Sequence, residues 1–343
     1  MRISRGNLPS ISILIPTLNA ARVLEGCLNS IAQQDYPKNK IEVVIADGGS
    51  TDETLVIAER YGAKIHKNPL KTGEAGKAVA LKQAKGDLVA LIDSDNILPT
   101  KDWLRKMVAP FADPEIIGSE PWEFTYRKED GFIDRYCALI GANDPYCYFL
   151  GNYDKRSVLS GKWTGLKIEQ EEKGHCIKVK IPSGEILPTI GANGTIWRTE
   201  ALKEVVGKSR YLFDTDIPYI LAQKRSFWFA KVRVGIIHDY CNSLGAFYRK
   251  QKRRAKDFFY LEGQKTRTET FQRQVFRQLY FIFSVIFIFP LVIQSIKGYI
   301  EKPDLKVWLF HPLACLITLW VYGSETILAR FKKSEMSRKD WRQ

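Results

Sequence analysis

The chain has 343 residues, is 45% apolar and carries a formal net charge of +14. That length and apolar content supply a sizeable core, which excludes a disordered chain or a small disulfide-stapled scaffold. The charge is localised: residues 249–277 hold ten Lys or Arg against three Asp or Glu, and residues 330–343 hold six against two. These runs flank one hydrophobic region, so they read as contacts to anionic membrane lipids, with no nucleic-acid groove expected.

The six cysteines, Cys27, Cys137, Cys147, Cys176, Cys241 and Cys315, form no CxxC pair and no Cys/His metal spacing, which fits a reducing compartment. The first residues, Met1 to Pro9, lack the apolar core of a signal peptide. A cytoplasmic N-terminal domain is therefore expected, in which the sequon Asn193-Gly194-Thr195 goes unread.

From Ser10 to Asp95 apolar runs alternate with helical patterns: Ile11–Ile15, a helix around Val23–Gln33, Ile41–Ala46, a helix near Glu53–Tyr61, and Leu88–Ile92, counted as the fourth strand. This alternation predicts a parallel α/β sheet with right-handed crossovers, whose ligands sit at the C-terminal strand ends. The residues at those ends are Pro16 to Asn19, Asp47 to Asp52, and Asp93-Ser94-Asp95. Residues 118–180 are less regular, with a mixed stretch from Phe132 to Leu150, and read as an insert over the active site. Leu279–Ile296 follows as eighteen residues without formal charge, roughly 27 Å if helical. Val307–Ser324 is similar in length but contains His311-Pro312 and is followed by Glu325. The two segments predict a transmembrane or re-entrant hairpin, with basic flanks placing both outer ends on the cytoplasmic side. The linker lysines Lys297, Lys302 and Lys306 oppose a clean crossing.

Asp93 and Asp95 place two carboxylates at a strand end, where a hard divalent cation finds oxygen ligands and nucleotide phosphates complete its shell. A strand-end aspartate also serves as a turn former or helix cap, so the pair by itself decides little. Asp47, with only Gly48-Gly49 beside it, is placed to accept from a base-edge N–H, whereas Ser50 and Asp52 read as N-caps of the next helix. In Lys71-Thr72-Gly73-Glu74-Ala75-Gly76-Lys77 the spacing differs from a Walker loop; Lys77 either meets donor phosphates at a helix N-terminus or is solvated.

The runs "SILIPTLNAARVLEGCLNSIAQQDYPKNKIEVVIADGGSTDETL" and "TGEAGKAVALKQAKGDLVALIDSD" resemble the N-terminal half of the inverting family-two glycosyltransferases with the GT-A fold. The resemblance implies that Pro16, Thr17, Asn19, Asp47, Lys77, Asp93 and Ser94 bind the donor nucleotide, and that Asp93 and Asp95 hold Mg²⁺ or Mn²⁺ on its diphosphate. Ala20-Ala21 stand where many members carry acids. "GANGTIWRTEAL" at 191–202 resembles the acceptor-side segment, with Gly191, Asn193 and Gly194 letting backbone approach the sugar. "YLFDTDIPYIL" resembles the motif that supplies the general base, which leaves Asp214 and Asp216 as candidates, Asp214 aligning on the base position. His238 stands where members place a histidine near the metal, a position equally open to a structural role. Gln251-Lys252-Arg253-Arg254-Ala255 is similar to the Gln-x-x-Arg-Trp motif of processive members, but with alanine for tryptophan. That loss speaks against polymer synthesis and leaves Arg254 to neutralise the departing diphosphate or to lie on lipid headgroups.

The expected organisation is a GT-A catalytic domain at 1–248 (donor half 1–117, insert and acceptor half 118–248), a basic juxtamembrane helix at 249–277, a hydrophobic hairpin at 278–330 and a basic tail at 331–343. The resemblance implies inverting transfer from a UDP- or GDP-linked sugar. The hydrophobic segments point to a lipid-linked acceptor, such as a polyprenyl phosphate, at the cytoplasmic face of the cell membrane. Rival readings are a catalytically inactive GT-A scaffold, opposed by the retention of Asp47, Asp93, Asp95 and Asp214, and a nucleotidyltransferase, opposed by the lack of its glycine-rich N-terminal signature.

Overall fold

The computed structural model describes residues 8–207, 209–263 and 274–331. The described chain divides into two compact units, Met1–Trp122 with Lys167–His238, and Glu123–Leu166 with Asp239–Gln343. In chain order the elements are β1 (Ile11–Thr17), α1 (Ala21–Ala32), β2 (Ile41–Asp47), α2 (Thr54–Arg60), β3 (Lys64–Lys67), α3 (Gly73–Gln83), β4 (Leu88–Leu91), β5 (Asn96–Ile97), α4 (Trp103–Val108) and β6 (Ile116–Thr125). They continue with α5 (Phe132–Ile140), α6 (Pro145–Leu150), β7 (Gln170–Glu172), β8 (Cys176–Ile181), β9 (Thr195–Arg198), α7 (Thr199–Val206), α8 (Asp216–Lys224) and β10 (Phe227–His238). The last four are α9 (Leu244–Gly263), α10 (Val275–Phe287), α11 (Phe289–Glu301) and α12 (Leu305–Ala329).

The first unit is one mixed sheet in the order β3-β2-β1-β4-β9-β6-β10-β8-β7, with β5 paired to the end of β10. β1, β2, β3 and β4 are parallel, as their alternation with helices predicts, while β9 joins β4 antiparallel. Ile11, Ile13, Leu14, Ile15, Val44 and Leu91 are fully buried because helices cover both faces of a parallel sheet. The register sets Thr17 beside Asp47, so the first two strands end level and their loops meet. β5 sets Asn96 beside His238, which brings the end of β10 to the loop after β4.

Between β6 and β10 the Lys231 ammonium lies 2.6 Å from Glu120 Oε2, with neither side chain exposed. A buried charge that loses its partner is costly, whereas a buried pair exchanged for apolar groups of similar volume is nearly neutral. Lys231→Met should therefore cost about 3–5 kcal/mol in denaturant unfolding, and Lys231→Met with Glu120→Leu clearly less. A double variant less stable than the single one would contradict this.

The second unit packs α5 and α6 with α9 to α12 around Tyr136, Phe247, Val307, Trp308 and Phe310. Residues 118–180 are accordingly no single insert: β6 up to Trp122 and β7–β8 belong to the first unit, and Glu123–Leu166 to the second. The mixed stretch from Phe132 to Leu150 resolves into two short helices, each closed by a left-handed glycine, Gly141 and Gly151.

The eighteen-residue apolar segment is also not one helix. It breaks at Ile288, which has φ 59°, and α10 and α11 are bent by 91°. Pro290 has no N–H to continue the ladder of α10 and suits the first turn of a new helix. The second segment, despite Pro312, is continuous over 25 residues as α12, since a proline removes only its own bond to the carbonyl four residues back. Much of the basic run 249–277 forms α9, whereas residues 264–273 and most of the basic tail lie outside the described residues.

Candidate active site

The loops after β1, β2 and β3 hold one another by polar contacts. Asp47 is 5% exposed, and its carboxylate accepts from Thr17 Oγ1 at 2.9 Å, Ser50 Oγ at 2.5 Å, and the Gly49 and Ser50 N–H groups at 2.8 Å each. A carboxylate offers about four acceptor positions, so these bonds engage its capacity. Through them Asp47 shapes the loop that borders the strand ends.

Asn19, at φ 52°, joins the same network: its N–H donates to Ser50 Oγ at 2.8 Å and its Oδ1 accepts from the Thr51 N–H at 2.9 Å. Asparagine tolerates this left-handed position through such local bonds. Pro16 lies beneath Gly76, where any Cβ would approach it to 2.8 Å, so α3 packs directly on the end of β1.

Ser50 is thus not an N-cap. Asp52 accepts from the Ala21 N–H at 3.1 Å and the Thr54 N–H at 3.1 Å, which serves the first residues of both α1 and α2. Ala20-Ala21 lack the family's acids, but Asp52 brings a carboxylate to the same helix start.

The second cluster lies at the end of β4. α3 begins at Thr72, whose hydroxyl caps the Ala75 N–H, and carries Lys77 one turn in. Lys77 is buried, with Nζ 3.4 Å from Asp214 Oδ2 and 3.7 Å from Asp93 Oδ1. The solvated reading of this lysine is excluded. Burial disfavours its charge, but Asp214 and Asp93 outweigh that and hold its pKa above the ordinary lysine value. Asp93 is densely surrounded although 34% of its side chain stays accessible. Desolvation raises its pKa, Lys77 works against this, Asp95 and Asp214 add to it, and the net direction is upward.

Asp214 Oδ2 also accepts from the Ala192 N–H at 2.7 Å, which draws the Gly191-Ala192 backbone beside Lys77. Asp216 is 2% exposed in the first turn of α8, with its N–H donating to the Phe213 carbonyl at 3.1 Å. Of the two aspartates it is Asp214 that the fold brings to Lys77. Asn193 Oδ1 accepts from Asn96 Nδ2 at 3.0 Å, and Asn96 Oδ1 accepts from the Asp93 N–H at 3.1 Å, so Asn193 steadies the turn containing Ser94. Gly194 answers to packing: at φ 81° an added Cβ would come within 2.7 Å of Ile236 and 3.0 Å of Pro121 and Trp103.

His238 ends β10 with Nε2 3.4 Å from Asp95 Oδ2. Asp93 and Asp214 face Lys77, and Asp95 adds a carboxylate beside Asp93, a gathering of negative charge that suits a hard cation. Among the described residues no three His, Cys, Asp or Glu side chains surround one point. The donor set therefore fits Mg²⁺ or Mn²⁺ held by one or two carboxylates, with further ligands from phosphates and water. Arg254 belongs to the second unit, where Nη1 donates to Gln251 Oε1 at 2.9 Å and lies 3.5 Å from Asp144 Oδ2, so Asp144 already balances its charge.

Two residues escaped the sequence reading. Asn68, 2% exposed after β3, donates its N–H to the Asp47 carbonyl at 2.7 Å and Nδ2 to the Thr72 carbonyl at 2.9 Å, while Oδ1 accepts from none of the described residues. Asn-Pro at 68–69 is a turn signal that marks it. Cys27 lies under Asp93, with Sγ 3.7 Å from its carbonyl, but nothing in the spacing of α1 announces this. A cavity of about 540 Å³, bordered by Ile11, Glu42, Lys64 and Lys85, opens at the N-terminal strand ends and holds none of these residues.

Residues 12–161, less than half of the chain, match the profile described as Glycosyl transferase family 2, and the fold is GT-A. It is 40% identical over 104 residues to the poly(ribitol-phosphate) beta-N-acetylglucosaminyltransferase TarS of Staphylococcus aureus, covering 29% of this chain and 18% of TarS. It is 30% identical over 137 residues to the glycosyltransferase AglE of Haloferax volcanii, covering 38% of this chain and 44% of AglE. The chain thus spans less than half the length of these curated relatives. Among solved structures, the mannosyltransferase PcManGT from Pyrobaculum calidifontis, in complex with GDP-Man and Mn²⁺, superposes with a TM-score of 0.50 at 17% identity, over 96% of this chain and 88% of that one.

The Asp47 network makes a local prediction. Asp47→Ala removes the acceptor for the Gly49 and Ser50 amides, so their hydrogen exchange should quicken by about tenfold or more, the equivalent of roughly 1–3 kcal/mol of lost bonding. Exchange in β4 and β9 should stay unchanged; unaltered rates at Gly49 and Ser50 would contradict the assigned role.

Proposed function

We propose that this protein is an inverting glycosyltransferase that moves a sugar from a UDP- or GDP-linked donor to a lipid-linked acceptor at the cytoplasmic face of the cell membrane. The observation that carries the reading is the buried Lys77 held between Asp93 and Asp214 at the strand ends, where α/β sheets bind ligands. Donor phosphates would meet Lys77 and the N-terminal turns of α3, with the base and ribose bordered by Pro16, Thr17, Asn19 and the loop that Asp47 shapes.

In the step itself an acceptor oxygen attacks the anomeric carbon opposite the nucleotide. The new C–O bond forms as the bond to the diphosphate breaks, and the electron pair leaves on the nucleoside diphosphate. Asp214 takes the proton when the acceptor is a hydroxyl, with its carboxylate oriented by the Ala192 N–H and Lys77. A polyprenyl phosphate needs no such base, and Asp214 then positions it. Asp93 and Asp95, with His238 beside them, would hold Mg²⁺ or Mn²⁺, which offsets charge on the leaving diphosphate. Gly191, Asn193 and Gly194 build the wall on the Asp214 side. The exposed apolar helices of the second unit favour an acceptor carried by a lipid.

The test supplies membranes that contain the protein with radiolabelled UDP- and GDP-sugars. Label should enter the organic phase, and release by mild acid would mark a sugar phosphate. Asp214→Asn should lower kcat by about 10²–10⁴-fold with a hydroxyl acceptor and far less with a phosphate acceptor. Absence of lipid-extractable label from every donor, with the protein folded, would overturn the reading.

A further inference from the structure

We infer that α10, α11 and α12 lie in the plane of one leaflet of an anionic bilayer and do not cross it; this rests on the membrane reading above. α10 and α11 have 13 residues each, roughly 20 Å apiece, and their 91° bend prevents them from adding into one straight span. α12 is long enough to cross, but its two faces differ. Leu305, Leu309, Leu313, Leu316, Trp320 and Ile327 are all exposed and recur every three, four or seven residues, which traces one stripe along the helix. The opposite face is buried against α5, α9 and α11.

That buried face bears polar contacts over its whole length. Asp304 takes the Arg135 guanidinium at 2.8 Å, and His311 meets Tyr136 at 2.9 Å and Gln294 at 2.8 Å. Tyr322 donates to Asp144 at 2.5 Å, and Glu325 lies 3.9 Å from Lys252. From Asp304 to Glu325 the helix rises roughly 32 Å. A crossing α12 would draw into hydrocarbon its neighbour α9, which carries Arg249, Lys250, Lys252, Arg253, Arg254 and Lys256. Charges at that depth are strongly unfavourable. Lying flat, the same helix keeps these groups above the lipid and sinks only its stripe.

α10 and α11 repeat the pattern. Phe276, Leu279, Phe283 and Ile286 are exposed on the first, and Phe289, Ile293, Ile296 and Ile300 on the second, while Phe281, Val285 and Leu291 are buried. Gly298 lets α11 close on α12, since a Cβ there would fall 2.4 Å from the Trp308 ring. Lys302, Lys306 and Arg330 stand at the helix ends, a complement to anionic headgroups, and exposed Tyr280, Tyr299 and Trp320 suit the interface.

The experiment reconstitutes the full chain carrying Lys306→Cys and Arg330→Cys, both at exposed positions flanking α12, into sealed vesicles of phosphatidylcholine and phosphatidylglycerol. A membrane-impermeant maleimide is added outside, and labels per molecule are counted by intact mass against the wild-type chain. An in-plane helix puts both thiols on one side, so molecules should carry both labels or neither, with both labelled after detergent is added. A population dominated by singly labelled molecules means a crossing helix and overturns the inference. Failure of the wild-type chain to float with the vesicles overturns the membrane reading itself.

Discussion

Lys77 is the interaction on which the site depends. An ammonium this buried is stable only because Asp214 and Asp93 face it from two elements far apart in sequence, and those carboxylates in turn stay together because it lies between them. The contact ties α3 to the end of β4 and to the segment that precedes α8. It also bears on the electrostatic balance, since Asp95 adds a third carboxylate beside Asp93, with His238 3.4 Å from it. A nucleotide diphosphate with a divalent ion is the ligand we propose for such a site.

The donor half was legible because its information is local. β1, β2 and β4 are short apolar runs spaced by helices, so the positions of Pro16, Asp47 and Asp93 at their ends follow from strand length alone. What each residue does there was less legible. Thr17 and Ser50 converge on Asp47 because two parallel strands end level, a matter of register that a single sequence does not display. Asn96 reaches Asn193 across 97 positions, and Gly194 owes its identity to Ile236, Pro121 and Trp103, none of them close to it in the chain. Lys77 was open to two readings until burial decided between them.

The hydrophobic region shows the opposite failure. Its composition is plain, but the charge-free length that predicts a transmembrane or re-entrant hairpin does not show the break that Pro290 marks. Periodicity within the run carried the missing information: in α12 the exposed and buried apolar residues fall on separate faces, and His311, Tyr322 and Glu325 lie on the side that meets protein. Apolar content alone does not separate a helix that crosses a membrane from one that rests in it.

The central claim, that the strand ends around Lys77 and Asp93 bind a nucleotide diphosphate with a divalent ion, is tested most directly by thermal unfolding with UDP, GDP and their sugars in the presence and absence of Mn²⁺. A ligand that binds only the folded state at 100 times its Kd adds about 2.7 kcal/mol. One nucleotide with Mn²⁺ should therefore raise Tm for the wild type and leave the Asp93→Ala, Asp95→Ala variant unmoved. Equal shifts in both proteins, or none for any nucleotide, would contradict the account.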